Sequence, residues 1–237
     1  MKRRFHILFL LLGAVVTAKA QIVITTPYEY AYGISGGATF SSVIFSPKIL
    51  QDKKTAVVFG ITGRMNMGEN MGMQLELNYA QQGWKERYED EDGKPVREFK
   101  YSRLINYIQL PYYTRVQFGI AGDDIKGFIV AGPQIGYMIG ESTKENLNGA
   151  TPGKVNIQHT MPVVKKFEWG IGGGGGIEIR TGIGFFLLEG RYFYSLGDLY
   201  NTRHEDPFSK ASGQTVTAKI SYLIPVKPTG VKHASPL

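Results

Sequence analysis

The sequence contains no cysteine. A disulfide framework, thiolate chemistry and a lipid-modified cysteine behind a signal are therefore excluded, and stability has to come from packing and hydrogen bonding. Histidine is scarce as well: beyond residue 20 only His159, His204 and His233 occur, far apart in the sequence. Such dispersed histidines argue against a zinc site, which needs several ligands in one place.

Long apolar runs are also missing. The longest, Phe5–Val16, falls short of the roughly 20 residues that a membrane-spanning helix needs. It follows the basic residues Lys2–Arg4 and leads to Ala18–Ala20, a pattern that predicts a secretory signal peptide cleaved between Ala20 and Gln21. With no other candidate for a helical span, any insertion into a membrane has to use strands.

Without the predicted signal peptide, the sequence has only a small excess of basic over acidic residues. Residues 1–20 hold four basic and no acidic side chains, so the formal charge of +7 falls to +3 without them. This modest charge, on an exported chain, argues against a nucleic-acid partner. The remaining residues divide into one β-barrel domain at 21–226 and a polar C-terminal tail at 227–237.

The most frequent pattern in the sequence is an alternation of apolar residues with polar residues or glycine. About eight stretches have apolar side chains at every second position. This period of two is typical of a β-strand with two different faces. The clearest stretch, Phe167–Arg180, turns aromatic and isoleucine side chains to one face and glycines and charges to the other. The apolar face consists of Phe167, Trp169, Ile171, Ile177 and Ile179, and the other face of Glu168, Gly170, Gly172, Gly174, Gly176, Glu178 and Arg180.

Eight such strands are predicted, and the connections between them alternate long and short. The strands are Tyr32–Phe40, Val57–Met65, Met73–Gln82, Leu104–Phe118, Phe128–Ile139, Phe167–Arg180, Phe186–Leu196 and Thr215–Ile224. The long connections are Ser46–Lys54, Lys85–Lys100, Glu141–Lys166 and Asp198–Gly213. Short periplasmic turns and long extracellular loops are typical of outer-membrane barrels. The predicted fold class is all-β, an eight-stranded antiparallel up-and-down transmembrane β-barrel, with Pro133 marking a bulge in the fifth strand.

A soluble eight-stranded barrel of the lipocalin type would show the same alternation, with the apolar face as its core. Charge placement favours the membrane barrel, because the apolar face carries no charge while six basic and four acidic residues fall on the other face. They are Arg64, Glu76, Arg103, Arg115, Glu168, Glu178, Arg180, Glu189, Arg191 and Lys219. A charge facing lipid costs roughly 2–4 kcal/mol, whereas opposite charges in a narrow lumen can pair. The alternate glycines leave room there for the arginines.

Aromatic residues near the predicted outer strand ends indicate an interfacial girdle. They are Tyr79, Trp84, Tyr101, Trp169 and Tyr194. Tyrosine and tryptophan are enriched where the apolar layer of a membrane meets water. We therefore expect these side chains to point outward.

Three segments resemble the PorT-like family of outer-membrane β-barrel proteins. They are Met73–Gly83 (MQLELNYAQQG), Tyr107–Pro111 (YIQLP) and Gly127–Gly136 (GFIVAGPQIG), in the order and spacing of that family. The resemblance covers nearly the whole chain behind the signal and implies an eight-stranded outer-membrane barrel. It implies no single activity, although the family takes its name from a member needed for the secretion of cargo by the type IX system.

No constellation of catalytic or metal-binding residues stands out, so we predict no enzyme activity, no cofactor and no metal site. The acidic run Glu89–Asp92 does not fit an EF-hand, since in a register that begins at Tyr88 position twelve falls on Phe99. The one place for an outer-membrane hydrolase would be His204–Asp206 near Ser209, and this is a minor alternative.

The function predicted from the sequence is a structural or interaction role in the cell envelope, through the loops Lys85–Lys100 and Glu141–Lys166. Expected partners are outer-membrane lipid, the barrel-assembly machinery during insertion, and envelope proteins, with protein secretion as one candidate process. A small passive channel is the alternative. The lumen charges either pair into a plug or line a narrow pore with slight anion preference.

Overall fold

The computed structural model describes residues 29–90, 92–96, 98–121, 124–148 and 156–226. The predicted signal peptide with its cleavage site and the predicted C-terminal tail lie outside these residues. Within the described ranges, no helix has the length and apolar character to cross a membrane. The regular structure of these ranges is β-strand, apart from a short 3₁₀ turn at Ile157–His159.

Eight strands form the wall of a barrel. They are β1 (Glu29–Ser46), β2 (Lys54–Met67), β3 (Met71–Glu86), β4 (Lys100–Ala121), β5 (Ile125–Asn146), β6 (Phe167–Thr181), β7 (Gly184–Asp198) and β8 (Lys210–Val226). A further two-residue strand, Gln51–Asp52, pairs with the end of β3.

Antiparallel pairing joins each wall strand to the next, and the pairing of β1 with β8 closes the ring. Tyr32, for example, faces Gly63 of β2 on one side and Ile224 of β8 on the other. Closure gives the backbone N–H and C=O groups partners within the wall, which is the condition for crossing lipid with strands. The predicted eight-stranded up-and-down barrel is confirmed.

The two faces of the wall differ in the way that the alternation predicts. Outward side chains are large, apolar and exposed, as for Ile34 at 65%, Leu188 at 61% and Ile220 at 65%. Inward side chains are buried, although many of them are polar or charged. A soluble barrel of the lipocalin type would show the reverse arrangement, so this distribution excludes it. Lipid is the solvent that suits such an outer face.

The connections define two different ends of the barrel. Short turns join β2 to β3, β4 to β5 and β6 to β7 at one end, which we call the turn end. The wall also begins and finishes there, since Tyr30 pairs with Val226. The long connections lie at the opposite end, which we call the loop end. In outer-membrane barrels the end with the long loops faces the cell exterior.

Several strands extend further than predicted, chiefly at the loop end. β5 continues through Glu141–Asn146, β3 continues to Glu86, and β8 begins at Lys210 rather than Thr215. Parts of all four predicted loops are therefore strand, since Gln51–Asp52 lies within the predicted loop Ser46–Lys54. The physical reason is that pairing beyond the lipid layer needs no apolar outward face, so the alternation fades while the ladder of hydrogen bonds continues.

The predicted bulge at Pro133 is wrong. The register between β4 and β5 is the same on both sides of this residue, because proline removes one ladder donor without inserting an extra residue. The register shifts instead between Asn106 and Tyr107 of β4, opposite Ile139 of β5. A bulge of this kind bends the wall at the loop end, where the strands leave the lipid layer.

Candidate functional site

The inward face collects charged side chains, so the interior of the barrel is the first candidate site. Of the ten residues predicted to line the lumen, nine are buried, and Arg180 keeps 20% of its side chain exposed. Their inward placement follows from the alternation of side chains along each strand. The structure divides them into a central group, a group at the turn end, and two residues that stand apart.

The central charge group consists of Glu76, Glu189, Arg191 and Lys219. Arg191 Nη2 lies 2.6 Å from Glu76 Oε1 and 2.7 Å from Glu189 Oε2, and Lys219 Nζ lies 2.7 Å from Glu76 Oε2. The side-chain amide of Gln74 donates to Glu76 Oε1 at 2.7 Å. Two positive and two negative charges cancel here, and the carboxylates are well hydrogen-bonded, which a buried ionic cluster requires.

The turn-end charge group consists of Arg64, Arg115, Glu178 and Arg180, with Glu29 at its edge. Arg64 and Arg115 both donate to Oε2 of Glu178, Arg115 at 2.5 Å, and Arg180 Nε donates to Oε1 at 2.9 Å. Arg180 also pairs with Glu29 at 3.2 Å. Three cations thus share two carboxylates.

Aromatic rings support the two most buried guanidinium groups of the turn-end group. The Cζ atom of Arg115 lies 3.7 Å from the ring centroid of Phe128. The Cζ atom of Arg64 lies 5.0 Å from the centroid of Phe185. Both distances are within the range of a cation–π interaction, which holds a guanidinium plane in position without using its N–H donors.

Glu168 and Arg103 stand apart from these groups, nearer the loop end. Glu168 accepts a hydrogen bond from Gln109 Nε2 at 3.3 Å, and no basic side chain of the described residues lies within ion-pair distance of it. Arg103 donates instead to the backbone carbonyl of Met161 at 2.5 Å and to the hydroxyl of Tyr200 at 3.0 Å. Arg103 therefore contacts the loops rather than the other lumen charges.

The interior changes from polar to aromatic at the loop end. Strand and loop side chains pack there into one buried cluster, which we call the cap core. It contains Val43, Phe45, Ile49, Trp84, Tyr88, Tyr101, Ile105, Tyr107, Met138, Val163, Leu199, Tyr200, Phe208 and Ala211. The ring centroid of Phe45 lies 5.3 Å from that of Trp84 and 5.1 Å from that of Phe208. The loops thus fold over the mouth of the barrel.

The girdle prediction is wrong for two of its five aromatic residues. Trp84 and Tyr101 are fully buried in the cap core, whereas Trp169 faces outward and is 48% exposed. The alternation itself contains this information, because Trp84 lies two positions from the inward Gln82 and Tyr101 two positions from the inward Arg103. Nearness to a strand end is a poorer guide than the face to which a residue belongs.

Two buried charged residues of the wall hold in place the loops that cover the loop end, which we call the cap. Glu86 accepts a hydrogen bond from Gln158 Nε2 at 2.9 Å and lies 2.8 Å from His159 Nε2. Arg103 Nη2 donates to the backbone carbonyl of Gln158 at 3.2 Å. The imidazole of His159 stacks on Tyr101, with ring centroids 3.9 Å apart. The segment around Gln158 is therefore anchored on the inside of β3 and β4.

The sequence prediction does not include Glu86, because it ends the third strand at Gln82. The same alternation would have found it, since Glu86 lies four positions further on the inward face. Trp84 Nε1 donates to Glu86 at 3.2 Å, and the Tyr88 hydroxyl donates to it at 2.9 Å. Burial, together with the Glu86 carboxylate, raises the pKa of Tyr88, so this hydroxyl remains a donor at neutral pH.

A small cavity lies beside the central charge group. The cavity at this level has a volume of about 20 Å³, and Gln82, Gln109, Tyr113 and Arg191 are among the residues that line it. Such a volume holds about one water molecule. This cavity admits nothing larger.

The residues of the hydrolase alternative are not joined into a catalytic unit. His204 is exposed, and the hydroxyl of Ser209 donates to the backbone carbonyl of Ser46 at 3.4 Å. Asp206 accepts the backbone N–H of Arg203 at 2.7 Å. Within the described part of the chain, no hydrogen bond connects His204 to Ser209, and no three His, Cys, Asp or Glu side chains are grouped to hold a metal ion.

Known proteins similar to this chain include one family and several solved structures. The family model described as "Outer membrane protein beta-barrel domain" matches residues 20–201. The structure of Ail from Yersinia pestis, in complex with the heparin analogue sucrose octasulfate, is 13% identical with a TM-score of 0.39, and the match covers 82% of this chain and 99% of Ail. No curated protein matches the chain in sequence.

Two further solved structures are similar at comparable levels. Neisserial surface protein A (NspA) is 11% identical with a TM-score of 0.39, over 83% of this chain and 99% of NspA. The N-terminal β-barrel domain of Pseudomonas aeruginosa OprF is 9% identical with a TM-score of 0.36, over 82% of this chain and 97% of that domain. Identities this low concern the fold alone.

Proposed function

This chain belongs to the outer membrane protein beta-barrel domain family, and on that premise we propose that it is a closed, non-enzymatic barrel that acts through the outer surface of its cap. The observation that carries the proposal is the filled interior. Paired charges occupy the middle of the lumen, and the cap core covers the loop end. Because the wall faces lipid and side chains fill the lumen, we assign partner binding to the surface at the loop end.

The loop between β3 and β4 offers a well-supported binding element at this end. An isolated bridge between Glu89 and Pro95 closes it into a hairpin, whose base is fixed where Tyr88 and Phe99 meet edge to face. The side chain of Lys94 at the tip is 75% exposed. A charged tip on a packed base can present side chains to a partner at low entropic cost.

Single-channel recording in planar bilayers tests whether the barrel is closed. We expect no steady open level, because the space beside the central charge group holds about one water molecule. An open porin reconstituted in the same bilayers is the control. A stable conductance with slight anion preference would contradict the closed barrel and favour the passive channel.

Site-specific photo-crosslinking in the native envelope tests where the partner binds. We expect a discrete crosslinked product from a photoreactive residue at Lys94 or Glu205, both exposed at the loop end. Ile183 is the matched control, since it is 72% exposed in the turn between β6 and β7. Products from Ile183 alone would place the interaction on the periplasmic side instead. If a secretion component is crosslinked, the expectation from the PorT-like resemblance is supported as well.

A further inference from the structure

The turn-end charge group carries a surplus of positive charge. Arg64, Arg115 and Arg180 contribute three positive charges, while Glu178 and Glu29 contribute two negative ones. The guanidinium groups of Arg64 and Arg115 are neighbours, because both donate to the same oxygen atom of Glu178. Like charges this close and this buried are costly unless further negative charge lies beside them.

The same two arginines hold hydrogen-bond donors that have no partner in the part of the chain that the structure describes. Among the described residues, no acceptor contacts Nε and Nη2 of Arg64 or Nε and Nη1 of Arg115, and all four atoms are buried. The Cζ atoms of the two guanidinium groups lie over the rings of Phe185 and Phe128, and these rings offer no oxygen or nitrogen acceptor to the N–H groups. The aromatic contacts therefore position the donors without satisfying them.

The central charge group behaves differently and provides an internal comparison. Its two basic side chains, Arg191 and Lys219, face two carboxylates, and neither has a buried donor without a partner among the described residues. Of the five arginine donor atoms without a partner in the described residues, four lie where the surplus charge lies, and the fifth, Arg103 Nε, lies nearer the loop end. A general shortage of acceptors inside the barrel does not explain this coincidence.

We propose that the turn-end charge group is a binding site for a small inorganic anion, held between the guanidinium groups of Arg64 and Arg115. A single negative charge would neutralise the group, and the four donor nitrogen atoms named above suit chloride or an oxyanion such as phosphate. Only a small ion fits the burial of the two arginines, whose exposure is 3% for Arg64 and 0% for Arg115. Access is from the turn end, where Glu29 and Arg180 are partly exposed.

Thermal unfolding of the full chain in detergent micelles tests this site, with sodium gluconate, chloride and phosphate compared at equal ionic strength. We expect chloride or phosphate to raise the Tm by about 5 °C over gluconate, with a saturating concentration dependence. A response to one of the two ions alone identifies the ligand. Equal Tm values in all three salts would overturn the proposal, because hydration alone would then satisfy the donors.

Two variants that remove the surplus positive charge in different ways separate anion binding from general stability. R115Q removes the surplus charge, and Q117E adds a carboxylate at the next inward position of the same strand. Q117E provides a test even if R115Q is poorly folded, and we expect both variants to lose the Tm difference between gluconate and chloride or phosphate. K219Q, in the central charge group, is the control and is expected to keep it. If both R115Q and Q117E retain the full anion response, the ion binds elsewhere as an adventitious ion only.

Discussion

Replacing Glu178 with glutamine is expected to lower the free energy of unfolding by about 3–5 kcal/mol, the usual cost of removing one partner from a buried ionic group. Glu178 is fully buried and accepts hydrogen bonds from Arg64, Arg115 and Arg180. Glutamine has nearly the same shape, so the change removes negative charge without leaving a cavity. Arg180 would keep its ion pair with Glu29, whereas Arg64 and Arg115 would have no carboxylate within ion-pair distance among the described residues.

Glu168 offers a matched control on the same strand. It lies ten residues before Glu178 and is also inward and buried, yet its partner is the amide of Gln109 at 3.3 Å. E168Q is expected to change the free energy of unfolding by less than about 1 kcal/mol, because no cation loses its counter-charge. Urea unfolding in lipid vesicles, followed by tryptophan fluorescence, gives the comparison. Equal losses for the two variants would mean that the arginines contribute nothing specific at Glu178.

Replacing Gly174 with alanine is expected to cost about 3 kcal/mol, in the upper part of the range for overpacked sites. A Cβ atom at this position would lie 2.1 Å from the carbonyl oxygen of Gly190 and 2.7 Å from the Cα atom of Arg191. Both atoms belong to the backbone of β7, the strand that pairs with β6 at Gly174. Relief of the clash therefore needs the two strands to move apart, which weakens the closed wall.

Gly190 is the control for this substitution. It faces outward, and a Cβ atom there would meet no heavy atom of the described residues within 4 Å. G190A is therefore expected to keep the wild-type free energy of unfolding within about 0.5 kcal/mol. Urea unfolding measures both variants, and the gel mobility of heated and unheated samples reports the folded fraction. A G174A variant as stable as G190A would show that β6 and β7 can separate locally at no cost.

The face of each wall residue is predictable because a strand turns successive side chains to opposite sides whatever its partners are. This local rule places Arg115 and Glu178 inside and Ile171 and Ile220 outside, and it would also have placed Trp84 inside. Strand length is less predictable. The alternation is confined to the lipid layer, and it carries no information about how far a ladder such as Glu141–Asn146 continues beyond it.

The pairing of the charges is a property of the closed ring. Arg64 meets Glu178 across 114 residues of sequence, and Arg191 meets Glu76 across 115. The cap core likewise joins β1, β3 and β4 to loops that are distant in sequence. The chain considered locally is enough to predict the two faces, the number of strands and the outer-membrane location. The partners within the lumen and the closure of its mouth follow only from the tertiary structure, because a contact across the barrel depends on the register of all eight strands together.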